Sequence, residues 1–251
     1  MQVYFIGAGP GDPDLITVKG QKRLSEADVV IYAGSLVNPA LLGKAKQGAA
    51  VYNSASMTLP QVIDVIAKAV AENKRVARVH TGDPSIYGAI KEQMDELDKL
   101  GISYEIIPGV SSFLATAAAL QCEYTLPDVS QTVIITRLEG RTPVPPKENL
   151  ASLASHTATM CIFLSVHMLD NVVRELMDGG YPSDTPIAVV QKASWPEQKI
   201  IRGTLSTISG QIKAQGIDRT AMIVVGRCLE GDYALSRLYA PEFGHMYRDA
   251  T

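Results

Sequence analysis

The sequence predicts an α/β protein built from two successive units, and three observations carry that expectation. Short β-branched runs alternate with amphipathic segments along the whole chain. Glycine–proline turns follow several of those runs directly. The strand-and-helix pattern also restarts after Cys122.

In the first unit, residues 3–6, 29–32, 75–80 and 104–107 read as buried strands bounded by turn residues. Leu59, Val62, Ile63, Ile66 and Val70 fall on one face of a helix. Residues 111–120 form an alanine-rich helix that Ser111 or Ser112 is placed to cap. Strand, helix and strand in this order imply a mostly parallel sheet covered on both faces. A joint is expected at 123–128, where Pro127 interrupts. Beyond it, 133–136, 161–164, 187–190 and 222–225 read as strands, and 168–177 and 206–214 as helices. Residues 199–202 follow the 187–190 strand closely, across Trp195-Pro196, and are expected to return antiparallel to it. The proline-rich stretch 141–149 is taken as a loop inside the second unit. Residues 230–251 show no period and read as a tail or an oligomer contact.

The 251 residues hold 46% apolar and 20% charged side chains, the mix of a soluble globular protein. A net charge of −3 offers no global attraction to nucleic acid or to an anionic membrane. No apolar run approaches the ~18 residues of a membrane span. The start of the chain carries no basic leader. Three cysteines, Cys122, Cys161 and Cys228, are odd in number and show no C-x-x-C pattern. That argues against a disulfide framework or a zinc site and suits a reducing cytoplasm.

The glycine turns exclude familiar nucleotide sites. Gly7-Ala8-Gly9-Pro10-Gly11-Asp12 places Asp12 where a dinucleotide fingerprint needs its third glycine, and a carboxylate there repels a pyrophosphate. The acid that would bind ribose after the second strand is replaced by Tyr32-Ala33-Gly34-Ser35. Gly43-Lys44-Ala45 is not a P-loop. The commonest S-adenosylmethionine fold puts an acid two residues before its first glycine, and here that residue is Phe5. Alone, the first turn reads as a tight strand-to-helix connection capped by Asp12. Two further turns, Thr81-Gly82-Asp83-Pro84-Ser85-Ile86-Tyr87-Gly88 and Pro108-Gly109-Val110-Ser111-Ser112, also follow strands. Carboxyl ends of parallel strands are where α/β sheets bind ligands.

Taken together, these three turns closely resemble the tetrapyrrole (corrin/porphyrin) methylase family. The resemblance continues in order through Ala27-Asp28-Val29-Val30, Phe163-Leu164-Ser165, Lys192-Ala193-Ser194 and Ala221-Met222-Ile223. It implies two α/β domains, 1–122 and 128–251 with a tail from about 230, and a cleft between them that holds S-adenosylmethionine. It assigns cofactor contact to Pro10, Thr81, Gly82, Asp83, Ile86, Ser111, Ser112, Leu164, Ala193 and Ala221. Small residues suit that role, because main-chain groups hold a nucleoside only at close approach. Asp83 has three available partners: a ribose hydroxyl, the ammonium of the amino acid, or its own turn backbone.

A further segment, Thr136-Arg137-Leu138-Glu139-Gly140-Arg141-Thr142-Pro143-Val144-Pro145, with His80-Thr81-Gly82-Asp83 upstream, narrows the resemblance. It resembles the family members that methylate ring carbon 11 of precorrin-4, with or without cobalt, in cobalamin biosynthesis. Others methylate different ring carbons of corrin or porphyrin precursors. The expected substrate is a flat macrocycle rimmed with carboxylates, which guanidinium forks bind bidentately. Arg137 and Arg141 are the first candidates, with Lys192 and Arg202 further out. Glu139 either holds one arginine or accepts from a pyrrole N–H. Methyl transfer from a sulfonium needs alignment and exclusion of water more than a strong base. No catalytic residue and no metal ligand is therefore assigned, and His80 is the one histidine marked for testing. The family leads us to expect a cytoplasmic homodimer with no nucleic-acid or membrane partner. A nucleotide-dependent oxidoreductase and a non-catalytic tetrapyrrole carrier are the competing readings.

Overall fold

The computed structural model describes residues 2–231 and 233–249. Contacts divide the chain into two units: residues up to Thr116 with Lys192–Gln198, and Ala117–Gln191 with the residues from Lys199 onward. The joint expected at 123–128 lies a few residues beyond that division. Lys192–Gln198 joins the first unit because Trp195 Nε1 donates to the Pro10 carbonyl at 2.9 Å and the Asp12 N–H donates to Ser194 Oγ at 3.0 Å.

The first unit runs β1 (Val3–Gly7), α1 (Val18–Glu26), β2 (Val29–Tyr32), α2 (Pro39–Leu42), β3 (Ala50–Asn53), α3 (Leu59–Ala71), β4 (Val76–His80), α4 (Ile90–Lys99) and β5 (Tyr104–Ile107). Its sheet has the order β3-β2-β4-β1-β5 and every pairing is parallel. Alternation along β1 sends Val3 and Phe5 to one core, with α3 residues Val62 and Ile66, and Tyr4 and Ile6 to the other, with Leu24 of α1. Both faces are thus covered, as the continuous apolar strands require. Local sequence fixes the helix starts. Thr17 Oγ1 accepts from the Gly20 N–H at the head of α1, and Gln61 Oε1 accepts from the Thr58 N–H in a capping box at the head of α3. Strand β3, with all four residues exposed, went unrecognised in the sequence because an exposed edge strand leaves no buried pattern to read.

α5 (Ser112–Leu120) contains the division between the units. The second unit continues with β6 (Val133–Arg137), α6 (Leu150–Ala154), β7 (Thr159–Phe163), α7 (Leu169–Asp178), β8 (Pro186–Gln191), β9 (Lys199–Thr204), α8 (Ile208–Ala214) and β10 (Ala221–Val225). The sheet order is β6-β7-β10-β8-β9. Only β6 and β7 pair in parallel, while β10 lies antiparallel between β7 and β8, and β9 antiparallel to β8. The restart of the first unit's pattern thus produces a different sheet. The β8–β9 return reverses the chain, so β10, which follows β9 through α8, enters against β7 and β8.

Candidate functional site

Three turns meet at the carboxyl ends of β1, β4 and β5. The Ala8 N–H donates to the His80 carbonyl at 2.7 Å, and the Gly82 N–H to the Gly9 carbonyl at 2.8 Å. Gly7, Gly82 and Gly109 pack backbone on backbone: a Cβ on Gly7 would lie 2.5 Å from Gly109 Cα, and one on Gly109 would lie 2.2 Å from the Gly82 oxygen. Gly82 itself has φ +60°, the left-handed region that favours glycine.

Asp83 ties the second and third turns together. One carboxylate oxygen accepts from the Gly109 N–H at 2.9 Å; the other accepts from the Ser85 N–H at 2.8 Å and from the Ser85 hydroxyl. Its carboxylate thus engages its own turn through Ser85 and the turn after β5 through Gly109. Partial burial pushes its pKa up, but the Ser85 hydroxyl and the two N–H groups outweigh burial and hold it below the ordinary aspartate value. Asp83→Asn is expected to destabilise the protein by about 1–3 kcal/mol, since the amide NH₂ must face a backbone donor. The carboxylate's contribution is complete above about pH 4, where an unfolded aspartate ionises, and is lost as pH falls through its lower folded value. Urea unfolding of both proteins at pH 7 and below pH 4 checks this: the gap should close in acid.

Pro10, Thr81, Gly82, Asp83, Ile86, Ser111, Ser112 and Ala193 all belong to the first unit. Thr81 Oγ1 donates to the Leu36 carbonyl at 2.8 Å. A Cβ on Gly82 would sit 3.5 Å from Ser111 Cα and 3.6 Å from the Ser112 nitrogen, so the missing side chain leaves a backbone-lined cradle between these turns. Such a cradle fits a nucleoside held by main-chain groups. Ala193 is buried between Lys192 and Ser194, whose φ values of 50° and 68° are left-handed without glycine. A recess of about 240 Å³ opens beside the cradle, lined by Leu36, Met57, His80, Thr81, Ile86 and Glu92 among others.

Leu164 and Ala221 lie in the second unit, with the Arg137–Arg141 loop. Leu164 follows β7 with φ 54° and is 57% exposed, an unusual state for a leucine. The next residue, Ser165, is buried and its Oγ accepts from the Leu138 N–H at 2.9 Å, which joins the loop after β6 to the end of β7. Ala221 opens β10 opposite Gln191, so it shares one end of the sheet with Arg137, which pairs with Phe163. Arg137 donates to the carbonyls of Thr142 at 3.1 Å and Pro143 at 2.8 Å, bracing its own loop. Glu139 and Arg141 are exposed.

Sequence reasoning missed Arg78. It is 6% exposed and lines the same recess as His80. The signal was present, since β4 reads Val-Ala-Arg-Val-His and period two puts Val76, Arg78 and His80 on one face. Burial pushes the thiol of Cys122 up to about 11 and that of Cys161 up to about 12, which favours the protonated form at neutral pH. Among the described residues, no group of His, Cys, Asp or Glu side chains gathers as a metal ion requires.

Two α/β units, the first with glycine turns gathered at the carboxyl ends of parallel strands, define an α/β protein with the strand-end geometry of a ligand-binding fold. The model of the tetrapyrrole (corrin/porphyrin) methylases matches residues 2–209, and the chain belongs to that family. It is 60% identical to the cobalt-precorrin-4 C(11)-methyltransferase of Methanocaldococcus jannaschii, over 98% of this chain and 96% of that one. It is 51% identical to the precorrin-4 C(11)-methyltransferase of Pseudomonas aeruginosa, over 99% of each. An X-ray structure of a cobalamin biosynthetic enzyme, a cobalt precorrin-4 methyltransferase, superposes with a TM-score of 0.90 at 50% identity, covering 92% of this chain and 96% of that one.

Proposed function

We propose that this protein transfers a methyl group from S-adenosylmethionine to carbon 11 of precorrin-4, or of its cobalt complex, in cobalamin biosynthesis. The observation that carries this reading is 60% identity along nearly the whole length of a relative named for that reaction. When bound, the cofactor supplies an electrophilic methyl group on a sulfonium. In the first unit, Pro10, Thr81, Gly82, Asp83, Ile86, Ser111, Ser112 and Ala193 would hold it, chiefly through main-chain groups and small side chains; Leu164 and Ala221 are the contacts expected from the second unit. Asp83 keeps the turns in register, so the donor is aligned without reorganisation at the moment of transfer. Arg137, Glu139 and Arg141 are the residues proposed to meet the substrate; Glu139 and Arg141 are exposed, and the bonds from Arg137 to Thr142 and Pro143 brace their loop.

The protein acts as a cytoplasmic homodimer. Side chains after residue 230 support the dimer, since Leu235, Tyr239, Met246 and Tyr247 are more than four-fifths exposed and bare apolar surface marks an interface. Three free cysteines fit a reducing compartment. Among the described residues, no helix is long and apolar enough to cross a membrane.

The test is incubation of the purified protein with precorrin-4 and a donor carrying a ¹³C methyl group. The product should gain one methyl, placed on carbon 11 by carbon NMR. Methylation at another carbon, or none, overturns the proposal. Arg141→Ala should raise the half-saturating substrate concentration roughly ten- to hundredfold, the loss of a charged hydrogen bond worth ~1.5–3 kcal/mol, and leave S-adenosylhomocysteine affinity near wild type.

A further inference from the structure

Arg78 and His80 occupy a face of β4 that is otherwise apolar, shared with Val3, Phe5, Val29 and Ile31. Arg78 Nε donates to Gln93 Oε1 at 2.9 Å and Nη1 to the Ile31 carbonyl at 3.3 Å. Gln93 in turn donates to the Ala89 carbonyl at 2.9 Å, so it orients the guanidinium. Among the described residues no carboxylate pairs with Arg78, and burial alone lowers its pKa, to about 10. It therefore stays charged at neutral pH without a counterion, a costly state that proteins keep for a reason. His80 is 4% exposed, and its Nε2 is buried with no hydrogen-bond partner among the described residues. Burial and the nearby Arg78 charge push its pKa down to about 3, so the ring is neutral.

Arg78, whose charge has no counterion, and His80 line the same recess, whose volume of about 240 Å³ corresponds to roughly eight waters. Its rim includes Tyr87 and Ala89, both left-handed without being glycine (φ 55° and 49°), and such strain clusters at ligand clamps. Glu92 is also on the rim, but it is exposed, where its charge is screened.

We propose that this recess is a carboxylate site, in which Arg78 provides the charge, Gln93 orients it and His80 Nε2–H completes the hydrogen bonding. The inference rests on the methyltransferase reading for its ligands. A carboxylate reaches the recess from one of two sources: a side arm of the macrocycle, or the amino-acid end of the cofactor. A neutral imidazole beside a buried guanidinium forms a fixed donor set that needs no titration near neutral pH. It selects a carboxylate over an amide arm of the same shape, because only an anion relieves the buried charge.

The test uses the full chain and two probes, S-adenosylhomocysteine and uroporphyrin III, a stable macrocycle rich in carboxylates. Dissociation constants are measured for wild type, His80→Phe and Arg78→Met, with thermal melting of each. Arg78→Met should still melt cooperatively, because relief of the uncompensated buried charge offsets loss of its bonds to Gln93 and Ile31, yet lose affinity for one probe at least tenfold. His80→Phe should weaken the same probe. Loss confined to uroporphyrin identifies a macrocycle arm, and loss confined to S-adenosylhomocysteine identifies the cofactor's carboxylate. Unchanged affinity for both probes in folded variants overturns the proposal, as does a parallel loss of both. Wild type that binds S-adenosylhomocysteine but no tetrapyrrole overturns the function reading instead and leaves the cofactor arm of this test standing.

Discussion

Gly109→Ala is expected to abolish S-adenosylhomocysteine binding and to cost about 3–5 kcal/mol of stability, a large share of the ~5–15 kcal/mol that holds a domain together. The added methyl would lie 2.2 Å from the Gly82 oxygen and 2.7 Å from Gly7 Cα. Both obstacles are backbone, so no side chain can rotate aside. Relief requires the turn after β5 to withdraw, and that breaks the bond from the Gly109 N–H to Asp83. Gly210→Ala is the control. It lies in α8 with nothing near its Cβ position, and alanine there should stabilise by roughly 0.5–1 kcal/mol. Urea unfolding with calorimetric titration of S-adenosylhomocysteine reads both effects. A folded Gly109→Ala protein that binds like wild type would remove the three-turn cradle from the cofactor site.

Ala193→Leu is expected to reduce S-adenosylhomocysteine affinity at least a hundredfold while leaving the protein folded, at a stability cost of about 1–3 kcal/mol for overpacking. Ala193 is buried, and the backbone on either side is pinned. The Ser194 N–H donates to Gln198 Oε1 at 2.8 Å, Ser194 Oγ accepts from the Asp12 N–H, and Trp195 reaches the Pro10 carbonyl. The segment cannot yield without releasing the first turn. Trp195 is the chain's one tryptophan, so its fluorescence reports whether the segment has stayed in place. Ala193→Gly should bind normally. Normal affinity in Ala193→Leu with unchanged fluorescence would move the cofactor away from this residue.

Much of the fold was legible because the residues that form it are local and apolar. The strands read from residues 3–6, 29–32, 75–80 and 104–107 coincide with β1, β2, β4 and β5 to within a residue or so; β1, β2 and β4 are buried as expected, whereas β5, at the sheet edge, buries only Ile107. The face of α3 was readable from Val62, Ile63 and Ile66, all buried. Strand β3 was not, since Ala50–Asn53 faces solvent and is held by pairing with β2 rather than by burial. In the site, turn chemistry was legible in Gly-Asp-Pro and Pro-Gly-Val-Ser-Ser because such turns are specified by their own residues. The loop role of Arg137 was not, because its partners at Thr142 and Pro143 depend on how the loop folds back.

Residue identity and order along the chain specify the alternation of strands and helices, the turns at strand ends, the absence of dinucleotide and P-loop signatures, and the family. Each of these depends on residue identity over a few neighbouring positions, or on their order along the chain. Tertiary structure alone decided that β10 runs against β7 and β8, that three glycines from distant turns meet within one Cβ of each other, and that Lys192–Gln198 packs on the turn after β1. Among the described residues, it also decided that Arg78 is buried without a counterion beside a His80 whose Nε2 has no hydrogen-bond partner. The physical reason is the same in each case. Strand sense, close approach and the cost of a buried charge are set by what lies across space, and a linear pattern records only what lies along the chain.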